Sequence, residues 1–116
     1  MAVEAAHWRF TVDDYHKMAE AGILGEDDPV ELIDGEVVQM SPIGSRHVAS
    51  LGLANATVHA QIPRGTVFII SQSPIRLDEN SEPEPDLTVL RSRADHYVVA
   101  LPTPEDVLLI IEVADS

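Results

Sequence analysis

Apolar positions recur along this chain with two periods, and the points where the period changes mark out its elements. In "TVDDYHKMAEAG" (11–22) Val12, Tyr15, Met18 and Ala19 fall at helical spacing. Thr11 is suited to cap that helix, Asp13 and Asp14 sit in its first turn, where negative charge is favoured, and Gly22 stops it. The period then shortens. "VELIDGEVVQM" (30–40) is two β-rich runs around Asp34-Gly35, a strong type I′ hairpin signal. "RHVASLGLANATVHAQI" (46–62) returns to helical spacing, with Val48, Leu51, Ala54, Val58 and Ile62 in one stripe, and Pro63 and Gly65 end it.

Strand patterns dominate the rest. "TVFIIS" (66–71), "PIRLD" (74–78), "DLTVL" (86–90) and 107–113 read as strands, with the acidic loop "ENSEPEP" (79–85) between the second and third. "RSRADHY" is polar and suits a helical turn, and "LPTPED" is a turn before the last strand. The order α-β-β-α-β-β-β-β, with no repeat and no linker, predicts one domain over 1–116. The fold class is α/β (α+β), a mixed β-sheet flanked by helices, with the long helix on one face.

Composition narrows the function. The 116 residues carry 20 acidic and 7 basic side chains, a formal charge of −13. A protein that grips nucleic acid only by neutralising phosphates is basic, so any such role here needs cations or a few local arginines. Arg46, Arg64, Arg76, Arg91 and Arg93 are available for phosphate contacts, against a simpler reading as solvated surface. There is no cysteine, which excludes disulfides and zinc-thiolate sites. No apolar run approaches the ~20 residues of a membrane helix. The N-terminus lacks a secretory pattern, leaving a reducing cytoplasm as the default location.

The candidate chemistry lies in carboxylates that break the apolar pattern. Six of the seven residues from Val107 to Val113 are aliphatic; the seventh is Glu112. Both faces of that strand are apolar, which predicts a central strand with Glu112 in a covered region near its end. A buried carboxylate is protonated, paired or bound to metal. Asp86 opens "DLTVL", although aspartate is a poor strand former; a loop-to-strand cap is the plainer alternative. Glu31 falls on the hairpin face shared by Ile33, Val38 and Met40, and a cross-strand partner for a basic residue is its plainer alternative. Acids converging on one cleft suit a hard divalent cation, which takes one or two carboxylates and keeps several waters. The histidines, His7, His16, His47, His59 and His96, form no i,i+4 pair and no HExxH, and no phosphate loop or Gly-x-Ser-x-Gly elbow is present.

The runs "VELIDGEVVQMSP" (30–42), "PEPDLTVL" (83–90) and "LLIIEV" (108–113) resemble the Uma2 (DUF820) family of restriction-endonuclease-like proteins, within the PD-(D/E)xK nuclease superfamily. "TVDDYHKMAE" and "GSRHVASLGLANA" stand where that family has helices. The resemblance implies a metal-dependent endonuclease that hydrolyses DNA phosphodiester bonds with Mg²⁺ or Mn²⁺. It implies Asp86 and Glu112 as metal ligands, Glu31 completing the catalytic acids, and His47 as an accessory, where a solvated residue at a helix start is the plainer alternative. One departure stands out. The superfamily lysine belongs two residues after the second acid, where this chain has Ala114; the family's lysine lies in a following helix, and the chain ends at Ser116. The resemblance thus covers the N-terminal two-thirds of the family domain, and Lys17, the sole lysine, is a poor substitute. Three expectations follow: impaired hydrolysis, a last strand that lacks a neighbour and favours a homodimer or aggregation, and, as the alternative function, a non-catalytic interaction or regulatory module that keeps the nuclease fold.

Overall fold

The computed structural model describes residues 5–114. Helix α1 spans Val12–Glu20. The Thr11 hydroxyl accepts from the Asp14 N–H at 3.1 Å, and the Asp14 carboxylate accepts from the Thr11 N–H at 3.0 Å, a complete capping box. These bonds hold the Asp14 carboxyl below the usual carboxylate range. Gly22, at φ +80, ends the helix as expected.

Strands β1 (Val30–Ile33) and β2 (Glu36–Gln39) form the antiparallel hairpin, with Glu31 opposite Val38 and Leu32 opposite Val37. Asp34 and Gly35 have φ of 47 and 83, the left-handed pair of a type I′ turn. Gly35 is also a crossing point. Its carbonyl accepts from the Phe10 N–H and its N–H donates to Asn80. A Cβ there would lie 2.6 Å from the Arg9 Cβ, so only glycine fits.

Helix α2 spans Ser45–Gln61. Its stripe is turned inward only in part: Leu51, Ala54, Val58 and Ile62 are half-buried, Val48 is 60% exposed, and the one buried residue is His47. The long helix therefore does not cover a sheet face along its length, as its pattern suggested. Its apolar positions are spaced for a helix but are interrupted by Ser50, Gly52 and Asn55, which leave too little surface for a close seam.

Strands β3 (Val67–Ser71), β4 (Leu87–Arg91) and β5 (Val107–Ile111) form an antiparallel sheet in the order β3-β4-β5. The fold is α+β, consistent with a restriction-endonuclease-like architecture. The strand pairs among the described residues are all antiparallel and lie in two sheets, and an isolated bridge ties Leu32 of β1 to Glu82 in the acidic loop. The core lies where they meet, in Val12, Leu32, Ile75, Leu87, Val89 and Leu90.

Two expected strands change. Residues 74–78 form no strand. The Ile75 and Arg76 N–H groups donate to the carbonyls of Pro83 and Pro102, and prolines have no N–H with which to complete a ladder. The last strand stops at Ile111 and, among the described residues, is an edge strand rather than a central one. The central place belongs to β4, whose Leu87, Thr88, Val89 and Leu90 are all buried. Leu108 and Leu109 of β5 are 59% and 49% exposed. The stretch "RSRADHY" becomes a turn in which His96 and Tyr97 have positive φ and stack on Phe68. A 3-10 turn, Pro104–Asp106, precedes β5, with buried Asp106 paired to Arg91 at 2.8 Å.

Candidate active site

Asp86 stands immediately before β4, and three segments distant in sequence meet at it. His47, in the first turn of α2, places Nε2 3.1 Å from Asp86 Oδ1, with side chains only 8% and 14% exposed. The Val113 N–H, just past β5, donates to Asp86 Oδ2 at 2.8 Å. The Asp86 N–H donates to Glu112 Oε1 at 3.3 Å. The carboxylate is thus held by both its oxygens before any ligand arrives, yet a carboxylate offers about four lone-pair sites, so acceptor capacity remains.

Glu31 reaches the same place through the hairpin. The Leu32–Glu82 bridge lays β1 beside the acidic loop, and the Glu84 N–H donates to Glu31 Oε2 at 2.9 Å. Glu31 lies on the face with Ile33 and Val38, as its spacing required, but both neighbours are partly exposed. That face is the wall of a cleft; the opposite face, with Leu32, is the core. Glu112 lies beyond the end of β5 rather than within it, and the residue as a whole is exposed, not covered. The strand is an edge, so little lies over its end.

All four predicted residues, Glu31, His47, Asp86 and Glu112, line one cleft of about 750 Å³. Glu84 lines it too. Sequence reasoning passed over Glu84, although its place two residues before Asp86 in an extended run puts both on one side. The apolar face of Ile33 and Met40 continues as the cleft wall to Ile43, which was missed because it lies in the turn after the hairpin, outside any strand or helix pattern.

The electrostatics are those of crowded carboxylates. Partial burial lifts the pKa of Glu112, and the charges of Asp86 and Glu31 lift it further. Burial, then Glu31 and Glu82, raise Glu84 in the same way. Tyr15, whose hydroxyl donates to the Val30 carbonyl at 3.2 Å, is raised first by burial and then by Glu84, Glu82 and Glu31. Two acids of this group have a histidine beside them: buried Glu82 lies 2.8 Å from His16 Nε2, and Asp86 is held by His47. Among the described residues, no three His, Asp or Glu side chains close into a metal cage. A hard cation that takes one or two carboxylates and keeps several waters does not require such a cage.

The expected phosphate contacts fare unevenly. Arg76 pairs with Asp13 at 3.9 Å, Arg91 with Asp106 at 2.8 Å and Arg93 with Asp95 at 3.1 Å. Arg46 and Arg64 carry no ion pair among the described residues, and neither lines the cleft. Lys17 lies on α1, away from the cleft lining.

An aspartate just before a strand, a glutamate just past another and a hairpin glutamate thus share one cleft of an α+β fold. The chain matches the Uma2 family, described as "Putative restriction endonuclease", over residues 12–116, and it belongs to that family. Comparison with curated proteins and with solved structures returns no match. No helix among the described residues is long and apolar enough to cross a membrane.

Proposed function

We propose that this chain is a metal-dependent endonuclease domain acting on DNA, with Asp86 and Glu112 as ligands of Mg²⁺ or Mn²⁺ and Glu31 completing the acidic site. One observation carries the reading: Glu31, Asp86, Glu112 and His47 come from four segments of the chain and line a single cleft. A bound cation supplies charge neutralisation and a water of lowered pKa. The chain's own part is positioning. His47 and the Val113 N–H fix the Asp86 carboxylate, the Asp86 N–H orients Glu112, and the Glu84 N–H orients Glu31. Hydrolysis adds the oxygen of water to phosphorus and breaks one P–O ester bond. One proton of the water ends on the leaving oxygen, giving an alcohol, and the other stays with the phosphate monoester. The test is strand scission by wild type, Asp86→Asn and Glu112→Gln in Mn²⁺, Mg²⁺ and EDTA. Cleavage that needs metal and falls at least about a hundredfold in both variants supports the reading; equal cleavage by Asp86→Asn overturns it.

A second reading is a non-catalytic interaction module, alone or as a homodimer. It is favoured by the apolar surface that β5 exposes at Leu108 and Leu109. It expects Asp86→Ala to raise stability while no ligand is lost.

A further inference from the structure

Four non-glycine residues among the described ones have a positive φ, a backbone conformation that is sterically costly once a side chain is present. Three have a local account. Asp34 makes the hairpin turn, and His96 and Tyr97 stack on Phe68. The fourth is Gln72, at φ 47, and it lines the cleft. Gln72 stands one residue past the end of β3. Ser71 pairs with Leu87, and the Gln72 N–H donates to the Asp86 carbonyl at 3.0 Å, so the register sets Gln72 opposite Asp86. The kink is held on both sides. The Ser71 hydroxyl donates to the Asp86 carbonyl at 3.3 Å, and the Ser73 hydroxyl to the Ser71 carbonyl at 2.9 Å. A left-handed residue at a strand end breaks the alternation of faces and re-aims its side chain. Glycine would hold that kink without steric cost, yet the chain has glutamine there.

What glutamine adds is an amide with two N–H donors. The non-bridging oxygens of a phosphodiester are anionic and only accept hydrogen bonds. The ionised acids of the cleft, Glu31, Asp86 and Glu112, cannot donate to them. The lining side chains that can donate are few. His47 is turned to Asp86, while Gln39 and Ser41 belong to the end of β2 and the turn after it. Gln72 comes from the strand next to Asp86, and among the described residues its side-chain amide has no hydrogen-bond partner.

We infer that Gln72 is a substrate-contacting residue of this site, its side-chain amide donating to a non-bridging oxygen of the phosphodiester held beside Asp86. This rests on the nuclease reading for the identity of the ligand; its own evidence is the backbone and the place of Gln72. The test is calorimetric titration of bis(p-nitrophenyl) phosphate into the Mn²⁺-loaded wild type and Gln72→Gly, with release of p-nitrophenolate followed separately. Gln72→Gly keeps the kink and removes the amide. It is expected to bind the diester at least about tenfold more weakly, with Mn²⁺ affinity unchanged and a thermal midpoint no lower than that of wild type. Equal diester affinity in the two chains overturns the inference, as does a wild type that does not bind the diester. A weaker diester affinity that comes with weaker Mn²⁺ binding or a lowered midpoint also overturns it, because Gln72 then only holds Asp86 or the turn in place. Diester binding by wild type that depends on Gln72, with no hydrolysis in any metal, sinks the nuclease reading and leaves the inference standing. Metal-dependent hydrolysis with the same KM and kcat in Gln72→Gly does the reverse.

Discussion

The Asp86 carboxylate is held from two sides by His47 and the Val113 N–H, while the Asp86 N–H holds Glu112. Glu84 has no such support. Its carboxyl is raised from the ordinary 4.5 by burial and by its neighbours Glu31 and Glu82. The sign follows from linkage. A raised carboxyl keeps its proton to higher pH in the folded chain than in the unfolded one. The native state then binds more protons in the window above 4.5, and stability falls as pH rises through that window. Glu84→Gln removes this cost. Its thermal midpoint is expected to exceed that of wild type at neutral pH, with the gap closing below pH 4.5. A midpoint lower than wild type at neutral pH would show that the Glu84 carboxylate holds the loop in place.

The elements best read from sequence are those fixed by local chemistry. Thr11, Asp14 and Gly22 set the ends of α1, and Asp34-Gly35 sets the hairpin, because each acts within four residues of itself. Gly35 is bound by more than its turn, since its neighbour across space is Arg9. Gly35→Ala combines a positive φ with that clash, and about 1–3 kcal/mol of stability is expected to be lost in a denaturant titration. A loss under about 0.5 kcal/mol would mean that the segment at Arg9 is free to move aside. The misreadings are of the opposite kind. Whether β5 is central or edge depends on which strand takes the middle place, and an all-aliphatic run cannot say. Residues 74–78 alternate like a strand but meet two prolines. The site acids were legible as breaks in an apolar pattern and through the family motifs. Their geometry was not, because His47 meets Asp86 across 39 positions and the Val113 N–H across 27.

At the scale of the molecule, the exposure of α2 and β5 shows in the shape. The radius of gyration is 16.4 Å, against ~13 Å for a compact chain of this length. Among the described residues β5 is paired on one side only, and an edge of that kind invites strand pairing, while the charge of −13 keeps copies apart. Salt screens the second effect and not the first. Size-exclusion chromatography is therefore expected to show apparent mass rising with ionic strength, and less so in Leu109→Lys. A monomer at every salt concentration would show that the open edge is protected.

The central claim is that Asp86 and Glu112 form a cation site. Calorimetric titration of Mn²⁺ into wild type, Asp86→Ala and Glu112→Ala, with the fold followed by circular dichroism, tests it most directly. Saturable binding by wild type is expected, lost in Asp86→Ala and weakened at least about tenfold in Glu112→Ala, in chains that stay folded. Undiminished binding in Asp86→Ala, or no binding by a folded wild-type chain, would contradict it.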